Sequence, residues 1–345
     1  MVKILVTGAN GFIGRAVCAH LAARGDEVVA AVRDLTRARD IVCSRAVAVG
    51  DIGPGTDWRD ALLGVEAVVH TAAQAHVSAR PDRGATFIAR GDSPARPDPE
   101  SVAQTFAVNV AGARALAEAA GSTGVFRFVF ISTVKVHGKT TEGRAPFSES
   151  DPLAPDPDDV YARAKAEAES ELAQVAAARR LAIVVLRLPL VYGPGARANF
   201  AALVRLVRLA PPLPFASIAN RRSLLFLGNL VDAIALALDH PGAAGETFLV
   251  RDGDDVSTPE LIGKMAVHLH RPARLFPCPL ALLRQGARLA GLGSRAGRLL
   301  DSLALDDRKI RDRLGWRPPY SLDQGLFRTL ASPKPSHPQQ RSPSA

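Results

Sequence analysis

A doubly wound parallel α/β sheet with a smaller C-terminal lobe is the fold class that this sequence of 345 residues predicts, on three observations. Short apolar runs recur through the first two-thirds without strict polar alternation, as strands buried on both faces do. Ala-rich stretches of helical spacing separate them, so the order β-α-β-α requires right-handed crossovers. After residue 190 that alternation fades.

The runs are VKILVT (2–7), EVVAAV (27–32), RAVAV (45–49), EAVVH (66–70), RFVFIS (127–132) and AIVVLRL (182–188). Between them GRAVCAHLAARG, NVAGARALAEAAG and YARAKAEAESELAQVAAARR read as helices. Residues 77–100 hold four prolines and many charges and read as a surface loop or flap. Residues 1–190 are expected to form the first unit, with returning segments near 222–250. Residues 191–330 are mainly the second lobe, where PPLPFASIANRR, an amphipathic stretch over 259–300 and LGWRPPY fall. The Pro- and Ser-rich residues 331–345 read as a disordered tail.

Composition narrows the function. Hydrophobic content of 47% and charged content of 22% are those of an ordinary soluble globular chain. Cys18, Cys43 and Cys278 lie far apart without metal-ligand spacing, which fits a reducing compartment and no metal site. No apolar run is long enough for a membrane span, so the expectation is a cytoplasmic protein. The net charge of +9 raises nucleic acid as a partner. The arginines are scattered, without a dense basic run, and tyrosine and tryptophan total five, too few for a stacking surface. Anionic small molecules fit the charge at least as well.

Gly8, Gly11 and Gly14 in VKILVTGANGFIGRAV stand directly between the first strand and the first helix. Glycines there let the backbone turn tightly against a pyrophosphate seated on a helix N-terminus, the Rossmann arrangement, with Asn10, Phe12 and Ile13 in the same turn. The second strand ends Val32-Arg33-Asp34. Arg33, with Arg37 nearby, points to the 2′-phosphate of NADP; NAD is the alternative if Asp34 turns back to the ribose. Asp51 and Ile52, after the third strand, are placed to cap the adenine.

Tyr161 and Lys165 stand four apart in a helical stretch and so share a face. A lysine ammonium and an oxidised nicotinamide would both favour phenolate, and Tyr161 would then exchange a proton with a sugar hydroxyl while hydride moves. Ser132 and Thr133 end the neighbouring strand, and Thr133 would hold the same oxygen.

TGANGFIG, VVHTAA (68–73), the serine-threonine strand end, Tyr-x-x-x-Lys and RLPLVYGPG (187–195) occur in an order that resembles the extended short-chain dehydrogenase/reductases, the nucleotide-sugar epimerase/dehydratase group. The resemblance covers about residues 1–325. It implies a catalytic triad of Thr133, Tyr161 and Lys165, a structural asparagine at Asn109, and a packed His70. It also implies that Thr71, Ala72, Ala73, Pro189 and Val191 lie along the cofactor, the last two against nicotinamide. Ser132, Thr133 and Lys135 would face the sugar, and Asn199 with Arg222 the diphosphate of a UDP-sugar, Arg221 being the alternative arginine. Homodimers form in this group through two helices, here 104–120 and 160–179.

Two departures sharpen the expectation. Dehydratases of the group place Asp-Glu immediately after the strand-end threonine, where this chain has Val134-Lys135. Epimerases that retain NAD carry an acid at the end of the second strand, where this chain has Val32-Arg33. FISTVKVHG, APFSESDPLAP, LVYGPGARANF, NRRSLLFLGNL and LGWRPPYSLDQGL look like one bacterial polysaccharide subgroup, the UDP-4-keto-6-deoxy-N-acetylglucosamine 4-reductases, often labelled UDP-glucose 4-epimerase-like. The leading expectation is therefore an NADPH-dependent 4-reductase forming UDP-N-acetylquinovosamine or a similar sugar. An NAD-dependent UDP-sugar 4-epimerase is the alternative, and a non-catalytic NADP sensor is the alternative of another class.

Overall fold

The computed structural model describes residues 1–75, 98–196, 198–291 and 293–331. The expected flap lies outside the described residues from 77 to 97, as does the expected tail from 332 onward.

β1 (Lys3–Thr7), β2 (Glu27–Val32), β3 (Arg45–Ala48), β4 (Ala67–His70), β5 (Arg127–Thr133), β6 (Ala182–Leu188) and, beyond the returning helix, β9 (Thr247–Leu249) form one sheet. Its order is β3-β2-β1-β4-β5-β6-β9, and every pairing is parallel. Each apolar run of the sequence is one of these strands. Their continuity is explained by burial on both faces: Ile4 and Val6 enter one core while Leu5, between them, enters the other. All seven residues of β5 are buried.

One face is covered by α1 (Phe12–Ala23), α6 (Leu227–Asp239) and α10 (Arg308–Leu314), which bring Val17, Leu21, Leu230, Ile234, Ile310 and Leu314 against the strands. On the other lie α3 (Gly112–Gly121) and α4 (Val160–Arg179), with Leu116, Ala164, Ala168 and Leu172 inward. α2 (Pro99–Phe106) precedes α3 and is joined to it by a π-helical turn over Ala107–Ala111.

The sequence assigned residues 308–316 to the second lobe, and the packing corrects this. α10 and Trp316 complete the first core, and the Trp316 indole donates to Asp232 of α6 at 2.9 Å. The lobe proper contains a second small parallel sheet, β7 (Leu190–Tyr192) with β8 (Leu224–Phe226), and the helices α5 (Ala198–Leu209), α7 (Thr258–His268) and α11 (Leu322–Ala331). Tyr192, Phe200, Phe226, Ile262, Met265 and Leu326 form its core.

The amphipathic stretch 259–300 is three helices, α7, α8 (Leu280–Leu289) and α9 (Gly293–Leu300). α7 starts on a capping box in which the Ser257 hydroxyl accepts from the Glu260 amide and Glu260 reaches back to the Ser257 amide at 2.8 Å. It stops where His270 takes a positive φ of 52°, and Pro272, Pro277 and Pro279 keep the chain extended until α8. Among the described residues no helix is long and apolar enough to cross a membrane.

Candidate active site

The strand order reverses between β1 and β4, and in open parallel sheets the crevice at such a switch point receives the ligand. The turn after β1 is built for close approach. Gly8 has φ +64°, and a side chain there would meet the Ala72 backbone at 2.8 Å. A Cβ on Gly14 would lie 2.2 Å from the Gly8 carbonyl oxygen. Gly11 caps α1 without a side-chain acceptor, so the first-turn amides around Phe12 and Ile13 are left for an external anion. This cradle fits the pyrophosphate of a dinucleotide. Gly14→Ala is expected to cost about 1–3 kcal/mol of stability through forced backbone movement, and to abolish cofactor binding measured by nicotinamide fluorescence.

The end of β4 is drawn against that turn. Thr71 donates to the Thr7 carbonyl at 2.6 Å, and Thr7 shares a 2.8 Å hydrogen bond with His70 Nδ1. His70 is packed as expected, stacked on Phe130, and burial pushes its imidazole down to about 3, so it is neutral. Asn109, in the π-helical turn, exchanges two hydrogen bonds with the Gln74 backbone, at 2.8 and 3.0 Å, and fixes the segment carrying Ala72 and Ala73. Ile52 packs so tightly on the start of α3 that a Cβ at Gly112 would lie 2.6 Å from it. Pro189 is buried before β7, while Val191 and Phe12 both pack on the first core.

At the end of β2 the carboxylate of Asp34 turns onto its own loop, held below its ordinary range chiefly by the Thr36 hydroxyl, with Arg37 adding. Arg33 instead reaches Asp51, at 2.6 Å, on the solvent side. The two residues expected at opposite ends of the adenosine are thus neighbours.

The three residues expected to be catalytic come from β5 and α4. Thr133 closes the strand and accepts from the Lys135 amide at 3.3 Å, capping a 3-10 turn over Val134–His137. Lys165 is buried, donates to the Ile131 carbonyl at 2.7 Å and lies 4.2 Å above the Phe130 ring. Burial lowers its pKa to about 7, with Glu169 opposing. Tyr161, half-buried one turn earlier, is pushed up to about 12, first by burial and then by the Asp159 carboxylate. The sequence led to the expectation of a lowered phenol. In the protein alone burial and Asp159 together hold the phenol protonated at neutral pH.

A family model described as NAD dependent epimerase/dehydratase family matches residues 4–91 and 96–250. The chain belongs to that family. A UDP-glucose 4-epimerase of Vibrio cholerae is 39% identical over 329 residues, covering 95% of this chain and 94% of that protein. A GDP-6-deoxy-D-mannose reductase of Pseudomonas aeruginosa is 26% identical, covering 95% and 96%. A crystal structure of a short-chain dehydrogenase/reductase superfamily protein from Agrobacterium tumefaciens, with bound NAD, superposes with TM-score 0.71 at 25% identity, covering 95% and 96%.

In this epimerase/dehydratase chain, two residues expected on the substrate side have protein partners. Ser132, one position from Thr133 in an extended strand, points to the side opposite Thr133 and donates to buried Glu169 at 2.5 Å. Lys135 spends its ammonium on Asp159, at 2.7 Å. Asp159 in turn accepts from the Ala162 amide at 3.0 Å and caps α4. Sequence reading missed Asp159, although an aspartate just before a helical Tyr-x-x-x-Lys is an N-cap signal.

Lys135→Ala would leave that carboxylate unpaired beside the phenol. Because a partly exposed pair is worth at most about 1 kcal/mol, a two- to fivefold loss of turnover is expected. Lys135→Arg should restore turnover.

In the lobe, Asn199 accepts from Arg298 at 3.0 Å, and Arg222 donates to the Asp301 carbonyl at 2.9 Å. Both expected diphosphate ligands therefore converge on the end of α9, where Arg298 adds a cation that the sequence reading did not single out. Arg221 is exposed and paired with Asp255 at 2.9 Å.

Proposed function

We propose that the chain is an NADP-dependent reductase of a UDP-linked 4-keto-6-deoxy-hexosamine, forming UDP-N-acetylquinovosamine or a similar sugar for a surface polysaccharide. The observation that carries this reading is the end of β2: no acid lies at its last position, and the carboxylate of Asp34 is committed to Thr36 and Arg37. Arg33 follows the strand end, and a 2′-phosphate would take its exposed guanidinium in place of the Asp51 carboxylate that holds it at 2.6 Å, which suits a cofactor exchanged at each turnover. The reductase named among the relatives supports the same chemistry. Buried Val134 and ion-paired Lys135 after Thr133 supply no carboxyl to expel water, which argues against dehydration.

When bound, the dihydronicotinamide supplies hydride to the keto carbon. Tyr161 then gives its phenolic proton to the C4 oxygen, which Thr133 orients through its hydroxyl. The Lys165 ammonium stabilises the phenolate left behind, and Ile131 holds that lysine in place. Gly8, Gly11 and Gly14 would seat the pyrophosphate, Pro189 and Val191 would line the nicotinamide site, and Asn199 with Arg222 would hold the substrate diphosphate.

The Vibrio cholerae relative favours a second reading, a UDP-sugar 4-epimerase. The two are separated by assaying NADPH oxidation against a panel of UDP-4-keto sugars alongside UDP-glucose/galactose interconversion. The reductase reading expects stoichiometric NADPH consumption. Purified protein with tightly retained NAD, interconverting the two sugars without added cofactor, would overturn it.

A further inference from the structure

The charge of the chain is not evenly spread. Residues 271–300 hold six arginines and no aspartate, glutamate or lysine, so this stretch supplies most of the net +9. It contains α8 and α9, which pack on each other at the outer edge of the lobe. α9 is anchored, since Leu300 is buried and Leu299 packs on the lobe core. α8 buries none of its residues.

Leu283 and Ala287, one turn apart, form its half-covered side. Leu282 and Leu289, two turns apart on another face, are 59% and 84% exposed. Arg288 is exposed beside Leu289. Arg284 ties the helix to Asp301 at 3.0 Å, and an outward leucine stripe bordered by arginine, on a helix with no buried residue, is the pattern of a helix lying in a lipid interface.

We propose that α8 docks this enzyme on an anionic bilayer surface, with Leu282 and Leu289 entering the acyl boundary and the arginines facing lipid phosphates. The charge selects this occupant. A second copy laid face to face would set arginines against arginines. The chain's own segments 76–97 and 332–345 are net basic, with only two aspartates between them, and so are not complementary to this face. Arg284 is paired with Asp301, but residues 271–300 contain no acid of their own, and the net cationic border that includes exposed Arg288 matches the negative surface potential of a cytoplasmic leaflet.

The test is co-sedimentation of the full chain with vesicles of phosphatidylglycerol or phosphatidylcholine, at low salt and at 0.5 M salt. Binding to phosphatidylglycerol is expected to exceed that to phosphatidylcholine by about tenfold and to weaken with salt. Leu282→Ser with Leu289→Ser, and separately Arg288→Glu, should each lower it severalfold without changing Tm. Equal binding to both lipids, no sedimentation, or leucine variants that sediment like the parent would overturn the proposal. So would capture of double-stranded DNA as tight as that of the anionic vesicles. A change in oligomeric mass on leucine substitution, with no vesicle binding, would assign the face to self-association and likewise overturn it.

Discussion

Tyr161→Phe is expected to lower turnover by about 10²–10⁴-fold, the range of a lost general acid, while substrate and cofactor binding stay near the parent values. The phenol at about 12 is fully protonated at neutral pH, so the parent donates its proton throughout that range. Lys165 sets the pH dependence, because burial brings its ammonium to about 7. As pH rises through that value the charge that would stabilise a Tyr161 phenolate is lost, and turnover is expected to fall. Lys165→Met should flatten this limb.

The stability sign also follows. The lysine's folded value lies below its unfolded value of 10.5, so between about 7 and 10.5 the unfolded chain binds more protons. Stability relative to Lys165→Met therefore rises with pH across that window, and below it the burial penalty is complete. A pH series of Tm for both proteins checks the direction.

The largest stability effect is expected at Arg187. Its guanidinium lies against Glu169 of α4 at 2.6 Å, with both side chains nearly excluded from solvent. Glu169 also receives Ser132, and Arg187 donates to His137 Nε2 at 2.9 Å. Burial and Arg187 push the His137 imidazolium down, so its Nδ1 donates to the Pro152 carbonyl, at 3.2 Å. One network thus joins β5, the 3-10 turn, α4 and β6, the elements that position Thr133, Tyr161 and Lys165. Arg187→Met strands a buried carboxylate and should cost about 3–5 kcal/mol, roughly 4–7 °C in Tm for a chain of this length. Adding Glu169→Leu should recover most of that loss, a coupling that a double-mutant cycle measures.

The parts of this molecule legible in the sequence are those governed by local pattern. Continuous apolar runs gave the sheet strands 2–7 to 182–188, since a strand buried on both faces cannot hide its composition. The glycines declared their turn because position relative to strand and helix is enough. Pairings between distant residues were not legible. Nothing in TVKVHG announces that Lys135 meets Asp159, or that Ser132 turns inward to Glu169, because such contacts depend on how α4 crosses β5. Trp316 went astray for the same reason: a C-terminal tryptophan beside two prolines reads as lobe, yet its indole is spent on Asp232.

That placement of α10 and Trp316 has a consequence for synthesis. The face of the sheet against α1 and α6 is closed by Ile310, Leu314 and Trp316, close to the end of the described chain. At elongation rates of ~5–20 residues per second the ribosome needs roughly 6–25 s to pass from Leu188 to Trp316. Through that interval the nascent sheet carries an apolar face still missing its last cover. The chain should therefore be a client of ribosome-bound holdases, and a stop codon before Arg308 should leave insoluble product rather than a free nucleotide-binding half.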